Sequence, residues 1–409
     1  MRECPECGLF QDVPAMRPGH VAECSRCGAV LRRRQRDALG TTLAFSLTGL
    51  VLLAIAASTP MLELRLAGQQ RVTSLAHLPV AFQDQGIWEL AWVVLATTLL
   101  APLLKLVLTV GVIAGLQMEI APSTLAGMER WRKRLTPWAM IEVFLLGAFV
   151  AYTRLAALAQ VEIGVALYAL GALMLVMVAT DAWLDEHALW EAIGRRRRTP
   201  APMGDGMLIG CDSCGRVSRA MPGAPCPRCN APLRVRKPDS IARCWALLLA
   251  AAALYIPANL YPVLTLIRFG KGHPSTILGG VEELIQARMW PLALLVFVAS
   301  IMVPVLKLLC LVILLVSTQR RAQGRLRDRT RLYRIVDVVG RWSMIDVFML
   351  SVLVALVRMG LLASVIPGLG GVCFAGVVIL TMLAAFSFDP RLMWDAAGQT
   401  GCAAAEAEA

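Results

Sequence analysis

Eight cysteines fall in a pattern suited to metal. Cys4, Cys7, Cys24 and Cys27 form two C-x2-C pairs separated by sixteen residues, and Cys211, Cys214, Cys226 and Cys229 repeat the arrangement with eleven residues between the pairs. A zinc ion takes four thiolates in a tetrahedron at about 2.3 Å, and each C-x2-C turn supplies two of them at the needed bite. Gly8, Gly28 and Gly215 follow the second cysteine of three knuckles and Asn230 that of the fourth, all residues that tolerate positive φ. Four protein ligands leave no open position for water, which points to two structural zinc ions, with rubredoxin-like iron as the alternative. Disulfides or redox pairs leave the pairing of the knuckles unexplained, and a cytoplasmic site is reducing.

A second chemistry sits in apolar sequence. Lys105, Glu142, Lys307 and Asp346 lie within stretches otherwise able to cross a bilayer, where each charge costs about 3 kcal/mol or more. Each half of the chain thus carries one cation and, on its next apolar stretch, one anion. At about 1.5 Å of helix rise per residue, Lys307 lies about 14 Å and Asp346 about 6 Å from the inner helix ends, a gap that a lysine stem closes. A Lys307–Asp346 contact is therefore expected. Ser300, Ser343 and Thr381 supply hydroxyls around the pair, where the first half has Thr98, Ala139 and Met177. The second half is expected to hold the working polar network, with Lys105 and Glu142 as secondary candidates. A Lys–Asp pair that merely pins two helices is the competing reading. Pro102 and Pro304 each precede a buried lysine by three residues, and a proline frees a helix carbonyl that can solvate the ammonium or form a hinge.

The elements that must position these residues are membrane helices. Of the 409 residues 57% are hydrophobic, and eight stretches are long enough to span roughly 30 Å of hydrocarbon. They run over about 39–61, 87–116, 138–159, 161–183, 241–264, 290–316, 342–363 and 366–388. Segments such as LTGLVLLAIAA lack the polar face that a soluble helix needs. The first 37 residues are polar and cysteine-bearing, so no cleavable signal is expected and the amino terminus should stay in the cytoplasm. The runs Arg32–Arg34, Arg130–Arg134, Arg195–Arg198 and Arg320–Arg334 mark the inner side. The net charge of +12 resides beside the spans, where lipid headgroups explain it better than nucleic acid does. The sequence has no G-x-x-x-x-G-K-[ST] loop, and no enzyme activity is expected.

The chain is also written twice. APLLKL at 101–106 answers VPVLKL at 303–308, TPWAMIEVFLL around Glu142 answers RWSMIDVFMLS around Asp346, and LDEHALWE at 184–191 answers FDPRLMWD at 388–395. The expected fold is an all-α polytopic membrane protein with two parallel repeats of four transmembrane helices, each preceded by a small cytoplasmic zinc-ribbon-like domain. The divisions are 1–36 for the first ribbon, 37–194 for the first helix module, 195–238 for the linker and second ribbon, 239–395 for the second module, and a disordered tail over 396–409. An even number of spans per half makes the repeats parallel, related by an axis along the membrane normal. Loops at about 62–86 and 265–289 are long enough for short structure, while those near 160 and 364 read as tight turns.

CPECG, CDSCG, NLYPVL at 259–264, TILGGVEELIQARMWPLALLVFVASIMVPVLKLL at 276–309, WSMIDVF at 342–348 and SFDPRLMWD at 387–395 together resemble the paraquat-inducible protein A family over nearly the whole chain. The resemblance implies a Gram-negative inner-membrane component of an envelope lipid transport system, working with a periplasmic tunnel partner of the MCE class. It also implies that Ser300, Lys307, Ser343, Asp346 and Thr381 form the polar cluster of the carboxy-terminal half. A carboxylate and an amine inside the membrane suit a proton relay. A scaffold that anchors the tunnel partner and a thiol or metal redox sensor are the competing functions.

Overall fold

The structure, a computed structural model, describes residues 1–66, 69–118, 120–156, 160–196, 206–268, 271–357 and 363–399. Most of the expected linker and the tail beyond 399 lie outside the described residues. Among the described residues, eight helices are long and apolar enough to cross a membrane: Ala38–Ser58, Trp88–Gln117, Pro122–Ala156, Val165–Trp183, Ser240–Leu260, Trp290–Gln319, Leu326–Leu356 and Leu369–Ser387. They are numbered here as spans one to eight. The chain is thus a multi-pass membrane protein, mostly helical. Spans one and four pack side by side, as do five and eight, while the third and seventh meet between them. At that central contact Phe144 and Phe348 stack edge to face with centroids 5.6 Å apart, and the backbone of Gly147 comes close to that of Ile345 and Met349.

The second and sixth spans are not uniform α-helix. A π-helical turn, Ala96–Leu100, precedes Pro102, and Val298–Met302 precedes Pro304. Proline has no N–H to return to the carbonyl four residues back, and a wider turn absorbs the mismatch. The Val303 N–H reaches the Val298 carbonyl, five residues away. The third and seventh spans begin further inward than expected and each is interrupted. After the stretches Pro122–Leu135 and Leu326–Gly340, short 3₁₀ turns at Thr136–Trp138 and Arg341–Met344 lead into Ile141–Ala156 and Ile345–Leu356. Glu142 and Asp346 therefore stand in the first turn of a helix that starts inside the bundle, where the helix dipole favours an anion.

The loops near 160 and 364 are not tight turns. Gln160–Ile163 adds to a hairpin of Leu62–Leu66 and Gln69–Thr73, and Ala363–Pro367 adds to one of Leu264–Arg268 and Lys271–Ser275, giving two antiparallel three-stranded sheets. Leu64 faces Val161 and Leu266 faces Val365 in these registers. At the opposite end of the helices, two-stranded sheets carry the cysteine turns: Arg2–Glu3 with Phe10–Gln11, Val21–Glu23 with Val30–Arg33, and Met207–Gly210 with Val217–Ala220.

Each cysteine domain packs on the half of the chain it does not precede. Cys4, Cys7, Cys24 and Cys27 share an apolar core with Leu311, Leu314, Leu326, Phe388 and Trp394. Cys211, Cys214, Cys226 and Cys229 share theirs with Val112, Leu125, Leu189, Trp190 and Ile193. Polar contacts follow the same crossing. Arg334 Nε donates to Glu6 at 2.7 Å, and Arg26 lies over the Trp394 ring at 5.4 Å.

Candidate functional site

In the first cysteine group, Cys4 and Cys27 lie 3.5 Å apart, as do Cys7 and Cys24. In the second, Cys211 and Cys229 are 3.5 Å apart and Cys214 and Cys226 3.6 Å. All four sulfurs of each group fall within 4.8 Å of one another and all eight residues are buried. A metal tetrahedron with bonds of about 2.3 Å has edges of about 3.8 Å, so both sets fit a bound ion. Gly8, Gly28, Gly215 and Asn230 have φ of 71°, 70°, 66° and 61°, and each N–H bonds back to the carbonyl of the first cysteine in its turn. Hydrogen bonds from Cys4 and Cys7 lower the Cys27 thiol, and those from Cys211 and Cys214 lower Cys226 in the second group, so each pocket favours thiolate at one sulfur. The other side of the chemistry is electrostatic: four thiolates around one divalent cation need that cation's charge.

Within the helices, the expected residues gather in the second half. Ser300, Lys307, Ser343 and Thr381 are all nearly inaccessible. Asp346 is partly buried, with its Oδ1 fully enclosed. The Ser300 hydroxyl, carried on the π-turn, donates to the Val296 carbonyl at 2.6 Å. Thr381 donates to the Val378 carbonyl at 2.9 Å. The expected Lys307–Asp346 contact is not made. Lys307 Nζ, Ser343 Oγ and Asp346 Oδ1 are each buried without a hydrogen-bond partner among the described residues. The lysine instead turns inward along its helix toward Gly340, where an added Cβ would lie 2.6 Å from Nζ, and the carboxylate acting on it is Asp337. Pro304 is buried at the start of the same helix segment.

Asp346 looks across the molecule. The charge facing it is Arg154, from the third span of the other half, and Arg154 is also influenced by Glu283. The first half has a closed arrangement. Lys105 donates to Asp181 on span four at 2.6 Å rather than to Glu142 on span three, which is partly buried. Arg154 and Asp181 escaped the sequence reading although both interrupt or border apolar runs, AYTRLAAL and MVATDAW. A charge census of every span, rather than of the repeated positions, finds both.

The family described as paraquat-inducible protein A matches the chain twice, at residues 39–194 and 241–398. The chain belongs to that family. All of the candidate cluster falls in the second matched stretch, and the Lys105–Asp181 pair in the first. Among similar proteins are the Intermembrane transport protein PqiA of Escherichia coli (strain K12), 32% identical over 96% of this chain and 95% of that protein, and the Lipophilic envelope-spanning tunnel protein A of the same strain, 32% identical over 97% and 91%. The Probable intermembrane transport protein of Haemophilus influenzae is 26% identical over 96% and 95%. No solved structure matches.

Proposed function

We propose that this member of the family is an inner-membrane lipid transporter of a Gram-negative envelope, passing phospholipid between the inner membrane and a periplasmic tunnel built by an MCE-class partner. Its relatives are named for intermembrane transport and for an envelope-spanning tunnel. The observation that carries the reading is the set of three unpartnered buried polar atoms on Lys307, Ser343 and Asp346. A buried polar group without a partner costs about 1–3 kcal/mol, and three in one place are a poor way to pin helices together. They suit a site that exchanges partners during a cycle. Because the ammonium and the carboxyl do not lock each other into a closed ion pair, each is free to take or give a proton, and the proton gradient is the proposed energy source.

In this reading both cysteine domains face the cytoplasm, where the arginine runs also lie. Two zinc ions support them structurally. The two helix modules are parallel repeats about the membrane normal, and the two small sheets face the periplasmic partner.

The test is transfer of labelled phospholipid from vesicles holding the chain and its tunnel partner under an imposed pH gradient. Asp346→Asn and Lys307→Ala are each expected to slow transfer by about tenfold while folded yield and metal content hold. Collapse of the gradient should slow the wild type likewise. Undiminished transfer by both variants would leave only an anchoring role and end the proposal.

A further inference from the structure

A cavity of about 410 Å³ lies where the two cysteine domains meet the inner ends of spans three and four. Its walls include Arg2, Arg32, Arg33 and Lys133, together with Trp190 and His187. The four carboxylates in the wall are already engaged. Asp185 accepts from the His187 and Ala188 N–H groups. Glu186 pairs with Arg132 and Lys133. Glu3 accepts from Gly210 N and from Arg236 and Arg391, and Asp212 pairs with Arg391. Among the described residues, no ion pair joins Arg2, Arg32 or Arg33 to a carboxylate. Arg2 donates instead to the Leu31 carbonyl and meets the His187 imidazole.

Two buried donors in this wall have no acceptor: the indole N–H of Trp190, a residue only 2% exposed, and Arg32 Nε. Unpaired buried donors are rare in folded proteins, and an indole N–H can only donate. The missing partner is therefore an acceptor. The surplus of cations makes that acceptor an anion, and guanidinium groups are matched in shape to the oxygens of phosphate. The volume is within the range of sites that enclose a small molecule or a lipid headgroup.

We propose that this cavity is a binding site for a phosphate group, held by Arg32, Arg33 and the Trp190 N–H, at the seam between the cysteine domains and the helix bundle. Burial and the cations of Arg2 and Arg32 push the His187 imidazole down to about 4, which agrees with a surplus of positive charge there. The proposal does not depend on the transport reading, because none of the Asp346 cluster residues lines this cavity.

Two sources share the chemistry, an anionic phospholipid headgroup and a free phosphorylated metabolite. The full metal-loaded chain is placed in phosphatidylcholine nanodiscs, and glycerol 3-phosphate binding is followed by phosphorus NMR. In parallel, nanodiscs of equal parts phosphatidylcholine and phosphatidylglycerol are disassembled and the lipid retained on the chain is weighed by native mass spectrometry. Saturable glycerol 3-phosphate binding assigns the site to a soluble ligand, and retained phosphatidylglycerol without it assigns the site to the membrane. In either case Arg32→Gln is expected to weaken the response by about tenfold, and Trp190→Phe, which keeps an aromatic ring and removes the N–H, by several-fold. Folding of each variant is checked by its metal content. No binding of either probe, or binding that Arg32→Gln and Arg33→Gln both leave unchanged, overturns the proposal.

Discussion

Gly340 is small because Lys307 lies across it. A Cβ there would meet Nζ at 2.6 Å and Cε at 2.8 Å, both at the free end of a flexible side chain. Gly340→Ala is therefore expected to move the lysine rather than the helix, with a stability cost under about 1 kcal/mol but slower lipid transfer. Gly147→Ala makes the matching control, because its Cβ meets the Ile345 carbonyl at 3.0 Å and Met349 N at 3.1 Å, atoms that cannot step aside. It should destabilise by about 1–3 kcal/mol in a denaturation series. Equal stability losses in the two variants would show that Lys307 is held as rigidly as backbone. At this scale the sequence reveals which residues are unusual and not whom they meet. Lys105, Lys307 and Asp346 stand out because charge is costly in lipid, but the charges that act on them come from helix neighbours: Asp181 on span four, Asp337 in the Leu326–Gly340 segment of span seven and Arg154 from the other half.

Among the elements, helices were the most legible, since a run of about 20 apolar residues has few alternatives in water or lipid. The short strands Gln160–Ile163 and Ala363–Pro367 were not, because four or five residues between two spans carry too little pattern to separate a turn from a third strand. The interruptions at Thr136–Trp138 and Arg341–Met344 were equally hidden, as no proline stands in the second of them. The segment after the last span shows what such elements contribute. Asp389, 1% exposed, holds Arg391 through two guanidinium nitrogens at 3.0 Å and caps Lys237 N, tying the end of span eight to the start of span five. Burial alone pushes the Asp389 carboxyl upward, but the hydrogen bonds and charge of Arg391 outweigh it and hold the group below the usual carboxylate range. The contribution is then full above the ordinary value of 3.8 and is lost as pH falls through the folded-state value. Asp389→Asn removes the closest charge partner of Arg391, which keeps its pairs with Glu3 and Asp212, and is expected to cost about 1.5–3 kcal/mol, read as a lower unfolding midpoint at neutral pH. Its deficit should shrink in acid, where the wild type loses the same charge.

For the whole molecule, the crossing of the cysteine domains decides what the metal sites stabilise. Read from sequence, each domain belongs to the four spans that follow it, because chain order is the only proximity a sequence displays. The packed cores reverse this. The first domain covers Leu311, Leu314 and Trp394 of the second half, and Glu3 within it bonds Gly210, Arg236 and Arg391. The second domain covers Leu125, Leu189 and Ile193 of the first. A crossed arrangement couples the halves: a four-cysteine domain that takes up an ion would fold with its binding and so cover the end of the opposite module on which it packs. The double variant Cys4→Ser, Cys7→Ser removes two ligands from the first site alone. Bound metal should fall to half of the wild-type content, and amide hydrogen exchange should quicken around Leu311–Leu315, Leu326 and Trp394 in the second half. The first-half helix Glu186–Arg195, which supports the other domain, should keep its protection. Faster exchange confined to the inner ends of spans one to four would instead restore the chain-order assignment and remove the cross-link between the modules.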